Sequence, residues 1–163
     1  MGREEGASLS FLENLPGKRM GAGLLLRDQQ GRPLLVEPTY KTDWEIPGGA
    51  VEANESPYEC VVREVREELG IPVAPGRLLV VDYQHHEPHR TESLMFVFDG
   101  GVLDNQTLAQ MSLADEELKS YAFTEPDRLA HLTSARLARR LLHALEATEL
   151  EGFAYLENGV PTG

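Results

Sequence analysis

The sequence predicts an α/β fold, a mixed β-sheet held between helical layers. Three observations predict it. Runs with strand character recur at 19–27, 33–37, 77–84, 92–99 and 116–123. Two amphipathic helices, at 56–69 and 134–147, lie far apart among them. Leu24, Leu25, Leu26 and then Leu34, Leu35, Val36 are apolar at consecutive positions, as in strands covered at least in part on both faces. A sheet covered on both faces needs a helix on each side.

Residues 1–17 read as a polar arm in which Phe11, Leu12 and Leu15 are the candidate packing anchors. The strand at 19–27 meets the turn Asp28-Gln29-Gln30-Gly31 and returns as 33–37, which predicts a hairpin. A loop at 41–44 then leads through a short strand, Trp44-Glu45-Ile46-Pro47, into a Gly48-Gly49 turn. The helix at 56–69 is marked at both ends. Ser56 can N-cap it, Pro57 suits its first position and Glu59 completes a capping box. Gly70 supplies a left-handed stop, and Pro72 keeps the helix from resuming. Beyond the strands at 77–84 and 92–99, residues 100–114 read as a loop with one helical turn. The strand at 116–123 follows, and Thr124-Glu125-Pro126-Asp127 opens a short helix. In the helix at 134–147, Leu137, Leu141, Leu142 and Leu145 form the apolar stripe. Phe153, Tyr155 and Leu156 suit the 148–163 tail to docking, on the body or on a second subunit. The expectation is one domain over 1–163.

Composition narrows the function classes. A net charge of −12 disfavours a nucleic-acid polymer or an anionic membrane as partner, since both need a basic surface. It leaves room for an anionic nucleotide, because a bound metal changes the local sign. A single cysteine, Cys60, excludes an intramolecular disulfide and a cysteine-type zinc cluster. No apolar run reaches the roughly 18 residues of a membrane span. The N-terminal stretch has no signal-peptide pattern, so a cytoplasmic location is expected.

The chemistry sits on the first helix. At about 100° per residue, Tyr58, Val61, Val62, Val65 and Leu69 share a side spaced for a core. Glu64, Glu67 and Glu68 fall opposite, with Arg63 at the edge of their arc. Clustered carboxylates raise one another's pKa unless a cation offsets them, and one arginine cannot neutralise three. Oxygen-only ligands favour Mg²⁺ or Mn²⁺ over zinc. A solvated acidic face is the plainer reading of such a run. The glycine pair just ahead, with Glu55 before the cap, turns the segment into a candidate site for a metal-bound phosphate.

The stretch 49–71, GAVEANESPYECVVREVREELGI, resembles the box of the Nudix family, G-x5-E-x7-R-E-U-x-E-E-x-G-U with U apolar. Gly49, Glu55, Arg63, Glu64, Val65, Glu67, Glu68, Gly70 and Ile71 fill every specified position. The resemblance implies an α/β/α sandwich with the box helix against the sheet. It implies Mg²⁺-dependent hydrolysis of a phosphoanhydride within a nucleoside diphosphate linked to another group, Mn²⁺ being a substitute. Glu64, Glu67 and Glu68 would ligate the metal, with a Gly48 or Gly49 carbonyl adding a ligand. Arg63 would orient the glutamates, and Glu55 would support the loop or join the metal ligands. A homodimer is a family-level expectation.

The general base stays open between a box glutamate and an acid downstream, for which Glu116 and Glu117 are the candidates, each equally readable as a surface acid. His85-His86-Glu87-Pro88-His89-Arg90 reads first as a polar loop between strands, then as a substrate loop, and last as a metal site. Cys60 reads as a partly buried thiol near the acidic face and Trp44 as packing for the box loop, with base stacking as the alternative. Tyr83, Arg90 and Phe96 are pocket candidates. Two other classes compete with the hydrolase. A nucleotide sensor on the same fold would be expected to lose box glutamates, and a diphosphate isomerase would need an altered box.

Overall fold

The computed structural model describes residues 9–162. Strand β1 (Arg19–Arg27) is the spine: its Leu24, Leu25 and Leu26 are fully buried, and both its edges are paired. One edge runs parallel to β5 (Ser93–Val102) and the other antiparallel to β3 (Gly48–Ala50). β5 continues antiparallel into β4 (Leu78–Gln84), which pairs in parallel with β7 (Ala154–Glu157); β7 turns back as β8 (Val160–Pro161). The mixed six-stranded sheet therefore has the order β3-β1-β5-β4-β7-β8. A separate two-stranded sheet joins β2 (Leu34–Pro38) to β6 (Leu118–Phe123).

The hairpin expected between β1 and β2 does not form. Only Arg27 bridges Pro33 beyond the turn, after which the strands part. With β3 and β5 on its two edges, β1 has none left for β2, which pairs with β6 instead. The expectation of a glycine turn is likewise corrected. Gly48 and Gly49 are themselves strand, opposite Gly23 and Ala22, while the Trp44–Pro47 stretch contributes only a bridge from Glu45 to Val36.

Helix α1 (Leu9–Glu13) lies in the arm; α2 (Pro57–Leu69), α3 (Asn105–Gln110), α4 (Leu129–Leu132) and α5 (Ala135–Thr148) follow. A 3₁₀ turn at Pro126–Arg128 opens α4, and Asp104 caps α3. The residues expected to anchor the arm are not buried: Phe11, Leu12 and Leu15 are each about half exposed. The tail does dock, through fully buried Leu156 on β7, with Phe153 and Tyr155 facing out.

Two cores lie on opposite faces of the sheet. Ala22, Leu24 and Leu26 of β1 meet Cys60, Val61, Val65 and Leu69 of α2, with Leu34 and Val36 of β2. Leu25, Leu79 and Val97 meet Leu137, Ala138, Leu141 and Ala144 of α5 on the other side, with Leu35 and Leu156. Alternation along β1 and β2 sends successive leucines to different cores, which is why both runs are apolar throughout. Each fully buried Leu contributes about 1.5–3 kcal/mol of transfer free energy. On α5 the stripe is narrower than expected: Leu142 is exposed, and Arg140 takes a buried place in it. Among the described residues, no helix is long and apolar enough to cross a membrane.

Candidate active site

The end signals of α2 act as the sequence indicates. Ser56 Oγ accepts from Glu59 N at 3.1 Å while the Glu59 carboxylate accepts from Ser56 N at 2.8 Å, and Gly70 closes the helix with φ 67°. These caps fix where the helix starts against β1 and β3, and so where its carboxylates point.

The faces differ from the expected division. Tyr58 is not core; it stands exposed, edge-on to Phe98 at 5.8 Å. Glu68 is not on an outer face; it is buried with Val61, Val65 and Leu69. Its carboxylate accepts from Gly48 N at 2.9 Å, which joins the box helix to the glycine strand. Burial pushes the Glu68 pKa up to about 8; the Gly48 N–H opposes this, while the negative charges of Glu64, Glu117 and Glu45 add to it. Glu67 lies outermost, with its side chain 57% exposed, and Glu64 is mostly covered.

Arg63 binds this group together. Its guanidinium donates to Glu55 at 2.7 and 3.0 Å, to Glu64 at 2.7 Å, to Glu67 at 3.2 Å and to the Ala50 carbonyl at 3.2 Å. The Arg63 partnership, helped by the Glu52 N–H, holds the Glu55 carboxyl down to about 2. Glu55 is thereby a brace between loop and helix.

The glycines have steric reasons. A side chain on Gly49 would run into the Glu64 carboxylate, and one on Gly48, whose φ is 147°, into the Ala22 carbonyl. Cys60 is fully buried rather than partly so, its thiol 3.6 Å from the Gly49 carbonyl and 3.5 Å from that of Ala50. Burial and the nearby Glu55 and Glu64 charges push that thiol up to about 11.

The two downstream acids part company. Ala114 N and Ser112 N donate to the carbonyls of Glu68 and Leu69, which stitches the approach to β6 onto the end of α2. Glu117 is thereby close enough to act on the Glu68 carboxyl. Among the described residues, Glu116 contributes its carbonyl, to the Thr39 hydroxyl at 2.8 Å.

A cavity of about 250 Å³ opens beside the glycine strand, lined by Gly48, Gly49, Glu45, Arg19, Met95 and Phe96 among others. Phe96 is thus a pocket residue as expected. Tyr83 is elsewhere, hydrogen-bonded to Glu92, and Trp44 packs on the α5 core. In the 85–90 loop, His85 pairs with Glu157 at 2.7 Å and Glu87 with Arg136 at 2.5 Å. Among the described residues, no three His, Cys, Asp or Glu side chains are drawn together as a ready metal cage. For the divalent cation that the box implies, the donor set nonetheless fits. The charged donors are carboxylate oxygens, the nearby Cys60 thiol is held protonated, and Glu68 is a carboxyl buried among carboxylates, an arrangement that a cation relieves.

Sequence reasoning missed a second charged pair. Arg140 Nε donates to Asp82 at 2.8 Å; Asp82 is fully buried and Arg140 nearly so, and Gly159 N donates to the other Asp82 oxygen at 2.9 Å. The signals were an acid inside the apolar strand LLVVDYQ and an arginine three residues after Leu137 on the apolar stripe.

The NUDIX domain family model matches residues 17–145. An RNA pyrophosphohydrolase of Halorhodospira halophila is 40% identical over 63 residues, 39% of this chain and 35% of that protein. Human diphosphoinositol polyphosphate phosphohydrolase 3-alpha is 42% identical over 77 residues, 45% of this chain and 47% of that protein. These matches span less than half of either relative. Among solved structures, a MutT protein from Methanosarcina mazei Go1 superposes with a TM-score of 0.65 at 25% identity, over 83% of this chain and 97% of that one.

Proposed function

The chain belongs to the Nudix family, and from that premise we propose that it hydrolyses a phosphoanhydride bond in a nucleoside diphosphate linked to another moiety, with Mg²⁺ as the metal and Mn²⁺ as a substitute. The products are a nucleoside monophosphate and either pyrophosphate or a phosphorylated group. The observation that carries this reading is the complete box folded as one unit, with Glu68 tied to Gly48 and Arg63 gripping Glu55, Glu64 and Glu67.

Glu64, Glu67 and Glu68 would hold the cation, with a carbonyl of Gly48 or Gly49. A cation held there would supply neutralisation of diphosphate oxygens and a lowered pKa for a coordinated water. The chain's own residues do the rest. Arg63 sets the carboxylates, since a fork that donates to Glu55, Glu64 and Glu67 at once fixes their relative positions. The Gly48–Glu68 hydrogen bond keeps the backbone of Gly48 and Gly49, which carry no side chains of their own, beside the carboxylates. Glu117 is the proposed general base, an acid outside the box whose charge acts on the buried Glu68 carboxyl and whose segment is stitched to the end of α2.

A panel assay tests this: phosphate release with Mg²⁺ from nucleoside triphosphates, oxidised nucleotides, nucleotide sugars, ADP-ribose and dinucleoside polyphosphates. Turnover that EDTA abolishes is expected, and metal-independent turnover or a silent panel with tight nucleotide binding overturns it. Glu117→Gln is expected to lower kcat with metal affinity nearly unchanged. Equal losses in Glu116→Gln would remove the assignment of the base.

A further inference from the structure

A second cavity, of about 530 Å³, continues from the first along the α5 side of the sheet. Arg19, Lys41, Glu45, Met95 and Arg140 line both, so one trench runs from Gly48 and Gly49 to the start of α5. Its lining is out of character with the molecule. Arg19, Lys41, Arg90, Arg136, Arg139 and Arg140 converge there, six of the chain's 15 basic residues, against the carboxylates of Asp43 and Glu45 alone. In a chain of net charge −12, such a concentration is not the average surface.

Several of these cations are uncommitted to carboxylates. Lys41 pairs with Glu45, Arg140 with Asp82 and Arg136 with Glu87. Among the described residues, however, Arg19 donates to the hydroxyl and carbonyl of Thr91, both at 2.6 Å, and Arg139 to the Asn158 carbonyl at 2.8 Å, neither to a carboxylate. Among the described residues, the Arg90 guanidinium has neither an ion pair nor a side-chain hydrogen bond. Arg136 Nη1 is buried without an acceptor. A buried, unsatisfied guanidinium donor calls for a partner. Ser134, Ala135 and Arg136 also line the cavity, which brings the positive end of a 14-residue helix to the same place.

We propose that this trench binds a polyphosphate, so that the substrate carries at least two phosphate groups beyond the diphosphate that is cleaved. This rests on the hydrolase reading for the bond that breaks, but the binding site stands on the cation cluster. Guanidinium forks match phosphate oxygens in pairs, and low-dielectric walls strengthen the attraction. A neutral sugar would leave the arginines facing one another without a counter-charge. The acidic box repels the same anion, so substrate enters with its scissile end at the metal and its remaining phosphates along α5.

Titration calorimetry with inorganic tripolyphosphate in EDTA tests the site apart from catalysis. Wild-type protein is expected to bind it, more weakly as salt rises, and Glu67→Gln to bind it at least as tightly, since one repelling box charge is gone. Arg90→Gln with Arg139→Gln is expected to weaken binding by at least about tenfold. Arg90→Lys restores charge but not the fork, and should recover only part. Arg90 has no side-chain partner to lose, so its single variants should keep the wild-type melting temperature. In turnover, diadenosine pentaphosphate is expected to exceed ADP-ribose in kcat/KM, with the preference shrinking in the double variant. No tripolyphosphate binding, or equal binding by the double variant, overturns the proposal even if ADP-ribose is hydrolysed. Binding as expected with every substrate silent supports the site and removes the hydrolase reading instead.

Discussion

Helices α2 and α5 cover opposite faces of one sheet, are nearly equal in length and both begin at a serine cap, yet their charges are assembled in opposite ways. On α2 the partners are close in sequence: Arg63 meets Glu55, Glu64 and Glu67 within eight residues. On α5 they are distant: Arg140 meets Asp82 across 58 residues and Arg136 meets Glu87 across 49. A local cluster is written into helical spacing and can be read from it. A cluster assembled by the sheet exists only once β4, β5 and α5 are together.

The sharpest way to test that contrast is to remove one charge from each side. Glu67→Gln is expected to reduce turnover by roughly 10³-fold, about 4 kcal/mol of transition-state stabilisation. Glu68→Gln should do the same without loss of thermal stability, because a neutral amide can still accept from Gly48 N and adds no charge to a carboxylate-rich interior. Circular-dichroism melts beside the kinetics check this. A large fall in melting temperature, or near-normal turnover, would make the box acids structural rather than functional.

Arg140→Met reverses the balance of effects. It leaves the buried Asp82 carboxyl with only the Gly159 N–H as a partner, so a loss of about 3 kcal/mol is expected in urea unfolding. Adding Asp82→Asn should recover much of that loss, since removing both partners of a buried pair is far milder than removing one. If the double variant is as unstable as the single, the pair is not the unit holding α5 to β4.

This division accounts for what the sequence made legible. The strands from Arg19, the capped helix at 56–69 and the box were readable because caps, alternation and spacing are local. The β1–β2 hairpin was misread because nothing near Gly31 reveals that β3, sequence-remote, takes the second edge of β1. Glu68 was misplaced for a related reason: helical geometry put it opposite Val61 and Val65, but β3 and the 112–117 segment fold over that flank and bury it. The basic trench drew on residues from 19 to 140, so only Arg90 was singled out beforehand.

The smallest expected effect isolates the helix starts themselves. Ser56 is half of a reciprocal box, accepting from Glu59 N at 3.1 Å while Glu59 satisfies Ser56 N at 2.8 Å. Ser134 Oγ accepts from Leu137 N at 3.2 Å, and position 137 is a leucine, so no acid returns the bond. Replacing a serine cap by alanine typically costs about 1 kcal/mol. Ser56→Ala also frees Glu59 to leave, so it should lie at the upper end of that range, and Ser134→Ala at the lower. Urea midpoints at constant m would read the difference directly. If Ser134→Ala proves the costlier, the start of α5 is held by more than its cap. The crowd of arginines around it would then supply the reason, since each N–H left unpaired there adds to a positive charge already uncompensated.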